Sequence, residues 1–297
     1  MSRYLHTLLK AIDLQVRSGL ANPEIKNLST DSREIEKGDL FLGLDGEKVD
    51  GGNFWAKAIE RGACAAIISK KASLLNPPTN EDPVVILPEP VSLFMGKLAA
   101  DFWGKPSSEI CLIGITGTNG KTTTSFLIEF LTTSLGHPSA LFGTLINRWP
   151  NHEETSKYTT TFAVPLQAKL RKAVQAGVEY GAMEVSSHAL SQNRVAGCDF
   201  SGAIFTNLSR DHLDYHKSFK DYFNSKMILF KKLMKKKSQA IFDNEIQQSK
   251  KISKILSKND IKSITIGNKK SDAHLIAFAK KYEAIFNYSE IMPKDFN

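Results

Sequence analysis

The chain has 297 residues, of which 41% are hydrophobic and 24% are charged, and its formal net charge is +8 at pH 7. This length accommodates two domains with separate cores, and the composition is typical of a globular protein. No apolar stretch reaches the roughly 18 residues of a membrane span, and the N-terminus lacks the apolar core of a signal peptide, so we expect a cytoplasmic protein without a membrane partner. The three cysteines, Cys64, Cys111 and Cys198, are far apart, which argues against a disulfide framework or a zinc site.

Positive charge is concentrated in one region. Between Lys217 and Lys270 there are fifteen lysines and four acidic residues, so the rest of the chain is slightly acidic. Nucleic-acid-binding grooves are typically rich in arginine and aromatic residues. This region has no arginine and few aromatic residues. We therefore expect a solvated lysine-rich face and no nucleic-acid partner.

Residues 1–106 have the pattern of a small α/β domain. Apolar runs bounded by turn residues predict strands, and helical spacing of apolar residues predicts helices between and after them. The domain carries no catalytic signature, so a binding role is predicted for it. The predicted elements are an amphipathic helix at the N-terminus, the strands Leu40–Leu44, Ala63–Ile68 and Val84–Leu87, the helices Asn53–Arg61 and Val91–Trp103, and the linker Gly104–Pro106.

The second predicted domain, residues 107–297, opens with a glycine-rich turn between a strand and a helix. The strand is Ile110–Ile115 and the helix is Thr122–Leu135, with the sequence TGTNGKTTT joining them. Gly117 and Gly120 have no Cβ, so the backbone N–H groups can point inward beside the positive end of the helix. The pattern predicts a phosphate-binding loop, although its glycine spacing departs from the general one.

Two residues at the end of this loop have predicted roles. The Lys121 ammonium is expected to reach the outer phosphates of a nucleotide, and the Thr122 hydroxyl is placed to hold Mg²⁺. The alternative is an ordinary glycine turn between a strand and a helix. The order of strand, glycine loop, lysine, threonine and helix favours the phosphate loop.

Polar residues follow two further predicted strands of this domain. After the predicted polar turn Trp149–Lys157 and a helix, the strand Tyr180–Val185 carries Glu184 near its end. The carboxyl ends of parallel strands face the ligand crevice, so Glu184 can meet a metal held by Thr122. The apolar context GAMEV argues against the alternative, a surface carboxylate.

The strand Gly202–Thr206 runs into the segment NLSRDHLDYH. Several potential metal ligands lie within six residues, a density that a solvent loop does not need. The position after a parallel strand predicts that His212 shares the crevice with Glu184. In the alternative, two of these residues, Asp214 and His216, merely cap the next helix. The four potential ligands are Asp211, His212, Asp214 and His216.

Lys226 lies on the apolar stripe of the next predicted helix. Its neighbours three and four positions away include Tyr222, Phe223, Leu229 and Phe230. Burial lowers the pKa of a lysine, and a neutral amine beside a metal can react with CO₂ to give a carbamate, an anionic oxygen ligand. In the alternative, the stem packs and the amine reaches water. The pattern alone does not decide between them.

Four motifs together resemble those of the Mur ligases of peptidoglycan synthesis. They are TGTNGKTTT, MEVSSHAL, NLSRDHLDYH and the YxxxK of Tyr222–Lys226, in this order and at these separations. The resemblance runs from about Ser29 to about Asn244, and within the family it is strongest to the members that add the third residue of the muramoyl peptide. It implies a UDP-sugar-binding domain at 1–106 and a central domain at 107–297 that uses ATP to form an amide bond.

The resemblance also implies roles for residues at matching positions. Ser32 contacts the UDP-sugar, and Thr161 is a departure, because many relatives have proline there. The muramoyl peptide is held by Thr159, Thr160, Ser186, Gln192 and Arg194. ATP is bound by Gly117, Thr118, Asn119, Gly120, Lys121 and Thr122. The Mg²⁺ ligands are Thr122, Glu184, His212 and carbamylated Lys226, and the last three form the catalytic set together with Lys121.

The substrates that the resemblance implies are UDP-N-acetylmuramoyl-L-alanyl-D-glutamate, ATP and a diamino acid, with meso-diaminopimelate favoured over L-lysine. We expect a monomer. The family continues with a C-terminal amino-acid-binding domain, which we expect to be absent because the tail Ile246–Asn297 is lysine-rich and carries no motif. Two alternatives stay open: a non-catalytic remnant that binds nucleotide or UDP-sugar, and a phosphate-loop kinase or GTPase. The second lacks a base-recognition motif of the NKxD type.

Overall fold

The structure, a computed structural model, describes residues 3–44, 46 and 49–267. The chain divides into two units. The first comprises the residues up to Lys105 together with Phe162–Ala168, and the second comprises Pro106–Thr161 and the described residues from Lys169 onward. No helix in the described part of the chain is long and apolar enough to span a bilayer.

The first unit is built on a four-stranded sheet in the order β1-β2-β3-β4, and all of its strand pairs are parallel. The central strands β2 and β3 are buried along their whole length, as expected for a parallel sheet whose two faces are covered. The elements are α1 (Leu5–Ala11), β1 (Leu28–Ser29), β2 (Leu40–Leu42), α2 (Trp55–Glu60), β3 (Ala65–Ser69), α3 (Lys70–Leu75), β4 (Val84–Leu87) and α4 (Val91–Phe102).

Two elements of this unit are absent from the sequence-based prediction. Strand β1 has only two residues and lies in the polar segment NLSTDSR, where no apolar run marks it. Helix α3 begins directly at the end of β3. The Ser69 hydroxyl caps it by accepting a hydrogen bond from Ala72 N at 2.9 Å.

The second unit is built on an eight-stranded sheet in the order β12-β11-β10-β5-β9-β6-β7-β8. The six strands from β12 to β6 pair in parallel, and β7 and β8 extend the sheet as an antiparallel hairpin. The strands are β5 (Cys111–Thr116), β6 (Ser139–Phe142), β7 (Ile146–Trp149), β8 (His152–Thr155), β9 (Tyr180–Glu184), β10 (Phe200–Phe205), β11 (Met234–Asp243) and β12 (Lys262–Ile266). The helices are α5 (Lys121–Ser134), α6 (Ala163–Gln175, which begins in the first unit), α7 (Ser187–Ser191), α8 (Phe219–Ile228) and α9 (Ser249–Lys258).

The predicted fold class is confirmed: an α/β chain whose second sheet is mostly parallel. Strand β5 lies between β9 and β10, so the segments that follow these three strands lie side by side at one edge of the sheet. The three cysteines are free thiols; Cys198 is buried, whereas Cys64 and Cys111 are half-buried.

The prediction of a polar turn over Trp149–Lys157 is wrong. This segment contains β8, which pairs with β7 through Trp149 and His152, and Asn151 in the connecting turn has a φ of +63°. The side chains of β8 are polar and mostly exposed, so the strand has no alternating apolar pattern that would reveal it. The tail also has more structure than its composition indicates. Its described part, residues 246–267, contains α9 and β12.

Candidate active site

The phosphate loop joins the carboxyl end of β5 to the start of α5. Gly117 has a φ of +150° and Gly120 a φ of +82°, and both conformations favour glycine. The segment after β10 supports the loop: Asn207 O accepts a hydrogen bond from Thr118 N at 3.1 Å, and Asn207 Oδ1 accepts one from Asn119 N at 2.9 Å. Asn207 thus holds the loop through both its backbone and its side chain.

Replacing Gly117 with alanine should disrupt this loop. A Cβ on Gly117 would lie 1.9 Å from Thr206 Oγ1 and 3.0 Å from Asn207 N, in addition to the strain of its positive φ. We expect Gly117→Ala to lower the free energy of unfolding by about 3 kcal/mol, measured by urea denaturation. Gly136→Ala is the matched control, because Gly136 also has a positive φ, of +87°, but open space around it. The control should lose only about 1 kcal/mol; equal losses in the two variants would contradict the close approach.

Lys121 occupies the first turn of α5. Its ammonium folds back over the loop and donates hydrogen bonds to Gly117 O at 3.2 Å and Thr118 O at 2.8 Å. Burial lowers the pKa of Lys121, and nearby carboxylates oppose the shift. The amine therefore lies over the loop, and its contact with the outer phosphates of a nucleotide stays a prediction.

Glu184, the last residue of β9, is fully buried, with 0% exposure. Its Oε2 accepts hydrogen bonds from Thr122 Oγ1 at 2.9 Å and Thr144 Oγ1 at 3.0 Å, and its Oε1 accepts one from Thr144 N at 2.9 Å. The sheet register explains the contact with the phosphate loop, because Glu184 pairs with Ile115 in the adjacent strand β5. Glu184 is therefore not a surface carboxylate, and it lies directly beside Thr122.

Lys226 is also buried, with 1% exposure, so the alternative of an amine that reaches water is wrong. Its Nζ donates a hydrogen bond to Gly117 O at 2.7 Å and lies 4.3 Å from the centre of the Tyr222 ring. Burial, and secondly the nearby Lys121 ammonium, lower the pKa of Lys226 from 10.5 to about 7, although Asp211 opposes the shift. A large fraction of the amine is therefore uncharged at neutral pH, as carbamate formation requires.

Tyr222 connects the phosphate loop to the segment after β10. It is fully buried, and its hydroxyl lies 3.1 Å from Thr118 Oγ1. Thr118 Oγ1 in turn accepts a hydrogen bond from Ser209 N at 3.0 Å. The YxxxK motif therefore places two side chains of α8, Tyr222 and Lys226, against the same loop.

His212 lies at the edge of this arrangement. Its side chain is 42% exposed, its φ is +52°, and its backbone N–H donates to Asp211 Oδ1 at 2.8 Å. Its ring lies edge-on to that of His188, with ring centres 4.8 Å apart. In the described part of the chain no hydrogen bond joins His212 to Glu184 or Lys226. Its metal-binding role stays a prediction.

The alternative that Asp214 and His216 cap the next helix is wrong. Ser218 caps α8, and its hydroxyl accepts a hydrogen bond from Asp221 N at 3.1 Å. His216 is buried instead, with Nε2 lying 3.0 Å from Ser187 Oγ in α7. Burial lowers the pKa of His216, which favours the neutral imidazole.

The residues predicted to hold the muramoyl peptide form one hydrogen-bonded group. Thr160 Oγ1 donates to Glu184 O at 2.8 Å and accepts from Ser186 N at 3.1 Å. Arg194 donates from Nη1 to Thr160 O at 3.2 Å and from Nε to Gln192 Oε1 at 2.8 Å. The group is thus attached to the backbone of Glu184.

Thr159 is joined to the same group through a residue that the sequence did not single out. Its Oγ1 lies 3.2 Å from Thr144 Oγ1, in the connection between β6 and β7. Thr159 is half-buried, whereas Thr160 is buried. Of the two hydroxyls, that of Thr159 is therefore the more accessible to a ligand.

Ser32 belongs to the first unit. It is half-buried in the turn that follows β1, between Asp31 and Arg33. The Arg33 guanidinium donates to the Asp31 carboxylate and lowers the pKa of Asp31 to about 2. The turn therefore carries an ion pair between Asp31 and Arg33, on either side of Ser32. The contact of Ser32 with a UDP-sugar stays a prediction.

Two oxygens, one at the end of β9 and one at the start of α5, fit a magnesium ion. A hydroxyl and a carboxylate oxygen 2.9 Å apart, those of Thr122 and Glu184, are the hard ligands that Mg²⁺ prefers. Among the described residues no group of three or more His, Cys, Asp or Glu side chains is arranged to hold a metal. The Thr122 hydroxyl and the Glu184 carboxylate would hold the ion on the protein side.

Both units of the chain are similar to known proteins. Residues 24–103 match the family model described as Mur ligase family, catalytic domain, and residues 115–292 match the Mur ligase middle domain. UDP-N-acetylmuramoyl-L-alanyl-D-glutamate–2,6-diaminopimelate ligase of Prochlorococcus marinus strain NATL2A is 95% identical over 231 residues, which cover 78% of this chain and 45% of the relative. The enzyme of the same name from strain MIT 9313 is 57% identical over 230 residues, covering 77% of this chain and 45% of the relative.

Solved structures of ligases with related names share the fold of this chain. A structure of UDP-N-acetylmuramoyl-L-alanyl-D-glutamate–2,6-diaminopimelate ligase superposes with a TM-score of 0.75 at 26% identity, covering 92% of this chain and 54% of that one. A D-alanyl-D-alanyl-adding ligase from Acinetobacter baumannii shares the fold, with a TM-score of 0.59 at 18% identity over 90% of this chain and 54% of that one. The chain thus spans about half the length of the relatives it matches. By the family model that covers most of its second unit, the chain belongs to the Mur ligase family.

Proposed function

We propose that this chain carries the UDP-substrate and ATP sites of a ligase that adds meso-diaminopimelate to UDP-N-acetylmuramoyl-L-alanyl-D-glutamate. The observation that carries the proposal is the convergence on one loop of Lys121, Lys226, Thr122 and Glu184, which come from three separate parts of the sequence. The names of the relatives support diaminopimelate over lysine as the added amino acid.

The reaction proposed for the site is ATP-driven amide formation. The γ-phosphoryl group of ATP passes to the D-glutamate γ-carboxylate of the UDP-substrate, and the amine of diaminopimelate then displaces phosphate from the acyl phosphate. The Lys121 ammonium and the loop N–H groups orient the phosphates and balance their charge. The threonines Thr159 and Thr160, with Ser186, Gln192 and Arg194, orient the muramoyl peptide.

Magnesium is expected to be held by Thr122 and Glu184, with His212 and a carbamate on Lys226 as further ligands. When bound, it would neutralise negative charge on the transferred phosphoryl group. The contribution of this chain is to keep the Glu184 carboxylate and the Lys226 nitrogen buried and oriented. Action as a monomer in the cytoplasm, without nucleic acid, is part of the proposal.

Calorimetric titration of the chain tests the proposal. UDP-N-acetylmuramoyl-L-alanyl-D-glutamate should bind at least about tenfold more tightly than UDP-N-acetylglucosamine, which lacks the peptide, and ATP should bind in a Mg²⁺-dependent way. Equal binding of the two UDP-sugars, or no binding of ATP, would contradict it. Adding diaminopimelate distinguishes a ligase from a non-catalytic remnant. Formation of tripeptide and release of phosphate indicate a ligase, whereas binding without turnover indicates a remnant.

A further inference from the structure

Thr144, in the connection between β6 and β7, contacts both Glu184, a proposed metal ligand, and Thr159, a proposed substrate contact. We infer that it is a positioning residue that couples the magnesium-binding carboxylate of Glu184 to the hydroxyl of Thr159, which faces the muramoyl peptide. This inference rests on the proposed function, because it takes Glu184 as a metal ligand and Thr159 as a substrate contact.

The Glu184 carboxylate is held on both oxygens by this one residue. Thr144 N donates to Oε1 at 2.9 Å, and Thr144 Oγ1 donates to Oε2 at 3.0 Å. The carboxylate also packs against the backbone of Gly143, where a Cβ would lie 2.4 Å from Oε1. The orientation of Glu184 is therefore fixed by the Gly143–Thr144 segment as well as by its own strand.

The Thr144 hydroxyl is a hydrogen-bond donor with two possible acceptors. A threonine hydroxyl has one proton, and the Thr144 hydroxyl donates to Glu184 Oε2 at 3.0 Å. The same Thr144 hydroxyl also lies in position to donate to Thr159 Oγ1, at 3.2 Å. One proton thus serves two acceptors, the Glu184 carboxylate and the Thr159 hydroxyl.

A second connection joins Glu184 to the adjacent threonine. Thr160 is 3% exposed, and its hydroxyl is used between Glu184 O and Ser186 N. Thr159 and Thr160 are thus both tied to Glu184, one through Thr144 to the side chain and the other to the backbone. This arrangement assigns the hydroxyl of Thr159, and not that of Thr160, to the substrate.

One consequence is a coupling between the two ligands. A metal ion that binds Glu184 Oε2 competes for the acceptor of the Thr144 proton, and this proton then becomes available to Thr159. Binding of magnesium with nucleotide should therefore change the affinity for the muramoyl dipeptide, and by linkage the dipeptide should change the affinity for the magnesium nucleotide by the same factor.

The variants that test this inference are Thr144→Val, which keeps the shape and the backbone N–H, and Thr144→Ser, which keeps the hydroxyl. Thr133→Val is the control, because Thr133 is exposed on α5. Affinity for a non-hydrolysable ATP analogue is measured with Mg²⁺ and with EDTA. Affinity for UDP-N-acetylmuramoyl-L-alanyl-D-glutamate is measured with and without the magnesium nucleotide.

Thr144→Val should weaken nucleotide binding about tenfold in Mg²⁺, leave binding in EDTA unchanged, and bring the coupling factor between the two ligands close to one. Thr144→Ser and Thr133→Val should behave like the native chain. An equal loss in Mg²⁺ and in EDTA would show a structural role only and overturn the inference, as would a native coupling factor in Thr144→Val. If the native chain binds neither ligand, the proposed function fails, and the inference falls with it.

Discussion

Replacing Lys121 with methionine should lower the affinity of the chain for ATP about 100-fold, or on the order of 3 kcal/mol. The Lys121 ammonium lies over the phosphate loop, where it donates to Gly117 O and Thr118 O. These carbonyls hold the amine where phosphate oxygens can replace them as its hydrogen-bond acceptors. Phosphate binds a lysine ammonium as a point charge. Titration with ATP, ADP and AMP measures the effect, and the loss should shrink as the outer phosphates are removed.

Two further variants separate local contact from general charge. Lys121→Arg keeps the charge and should recover part of the affinity, whereas Lys220→Met removes one positive charge from an exposed position and should bind ATP like the native chain. The role of Lys121 would be contradicted if ATP and AMP lost the same affinity, because AMP lacks the outer phosphates.

Replacing Lys226 with methionine should change how stability depends on pH. The pKa of Lys226 is about 7 in the folded chain and 10.5 in its ordinary state, so between these values the unfolded chain binds more protons. The contribution of Lys226 to the free energy of unfolding then rises with pH, by up to about 1.4 kcal/mol per pH unit. Lys226→Met lacks this contribution. Its stability relative to the native chain should be highest near pH 6 and fall by on the order of 3 kcal/mol towards pH 10, measured by urea denaturation in CO₂-free buffer.

Lys220→Met is the control for this series, because Lys220 lies on the same helix α8 but is exposed. Its stability relative to the native chain should not change with pH across this range. Parallel pH profiles for Lys226→Met and the native chain would show that the Lys226 amine is charged in the folded state, against the burial argument.

The same uncharged amine should form a carbamate. Its nitrogen bonds to the carbon of CO₂ and releases one proton, which leaves an anionic carboxylate on the side chain. With isotopically labelled bicarbonate, a carbamate resonance should grow as the pH rises through about 7. The resonance should be present in Lys220→Met and absent in Lys226→Met; a signal that survives in Lys226→Met would assign it to another amine.

The local parts of the site could be predicted from the sequence. A strand, a glycine turn and a helix start are contiguous in Ile110–Thr124, so their order defines the phosphate loop without tertiary information. Glu184 and Thr122 come together because β9 is adjacent to β5 in a parallel sheet, which the strand patterns and the rule for carboxyl ends anticipate. Helical spacing places Lys226 on the apolar stripe of its helix but does not decide whether the amine is buried or reaches water.

Other parts of the site leave no local signal. Thr144 is a single threonine in a turn, and it contacts a residue 40 positions away, so its role depends on the packing of β6 against β9. The partner of Lys226, Gly117 O, is 109 positions away. Strand β8 likewise has no sequence signal, because its side chains are polar and mostly exposed and it is defined by backbone pairing with β7 and not by burial.

In the proposed site, a triphosphate and a divalent metal meet at the carboxyl ends of β5 and β9. Crystals of the chain grown with a non-hydrolysable ATP analogue and Mn²⁺, which replaces Mg²⁺ and scatters anomalously, test it most directly. We predict an anomalous peak coordinated by Thr122 Oγ1 and a Glu184 carboxylate oxygen, with the triphosphate against the backbone N–H groups of the Gly117–Lys121 loop. A peak away from these two oxygens, or a triphosphate bound elsewhere, would contradict the claim.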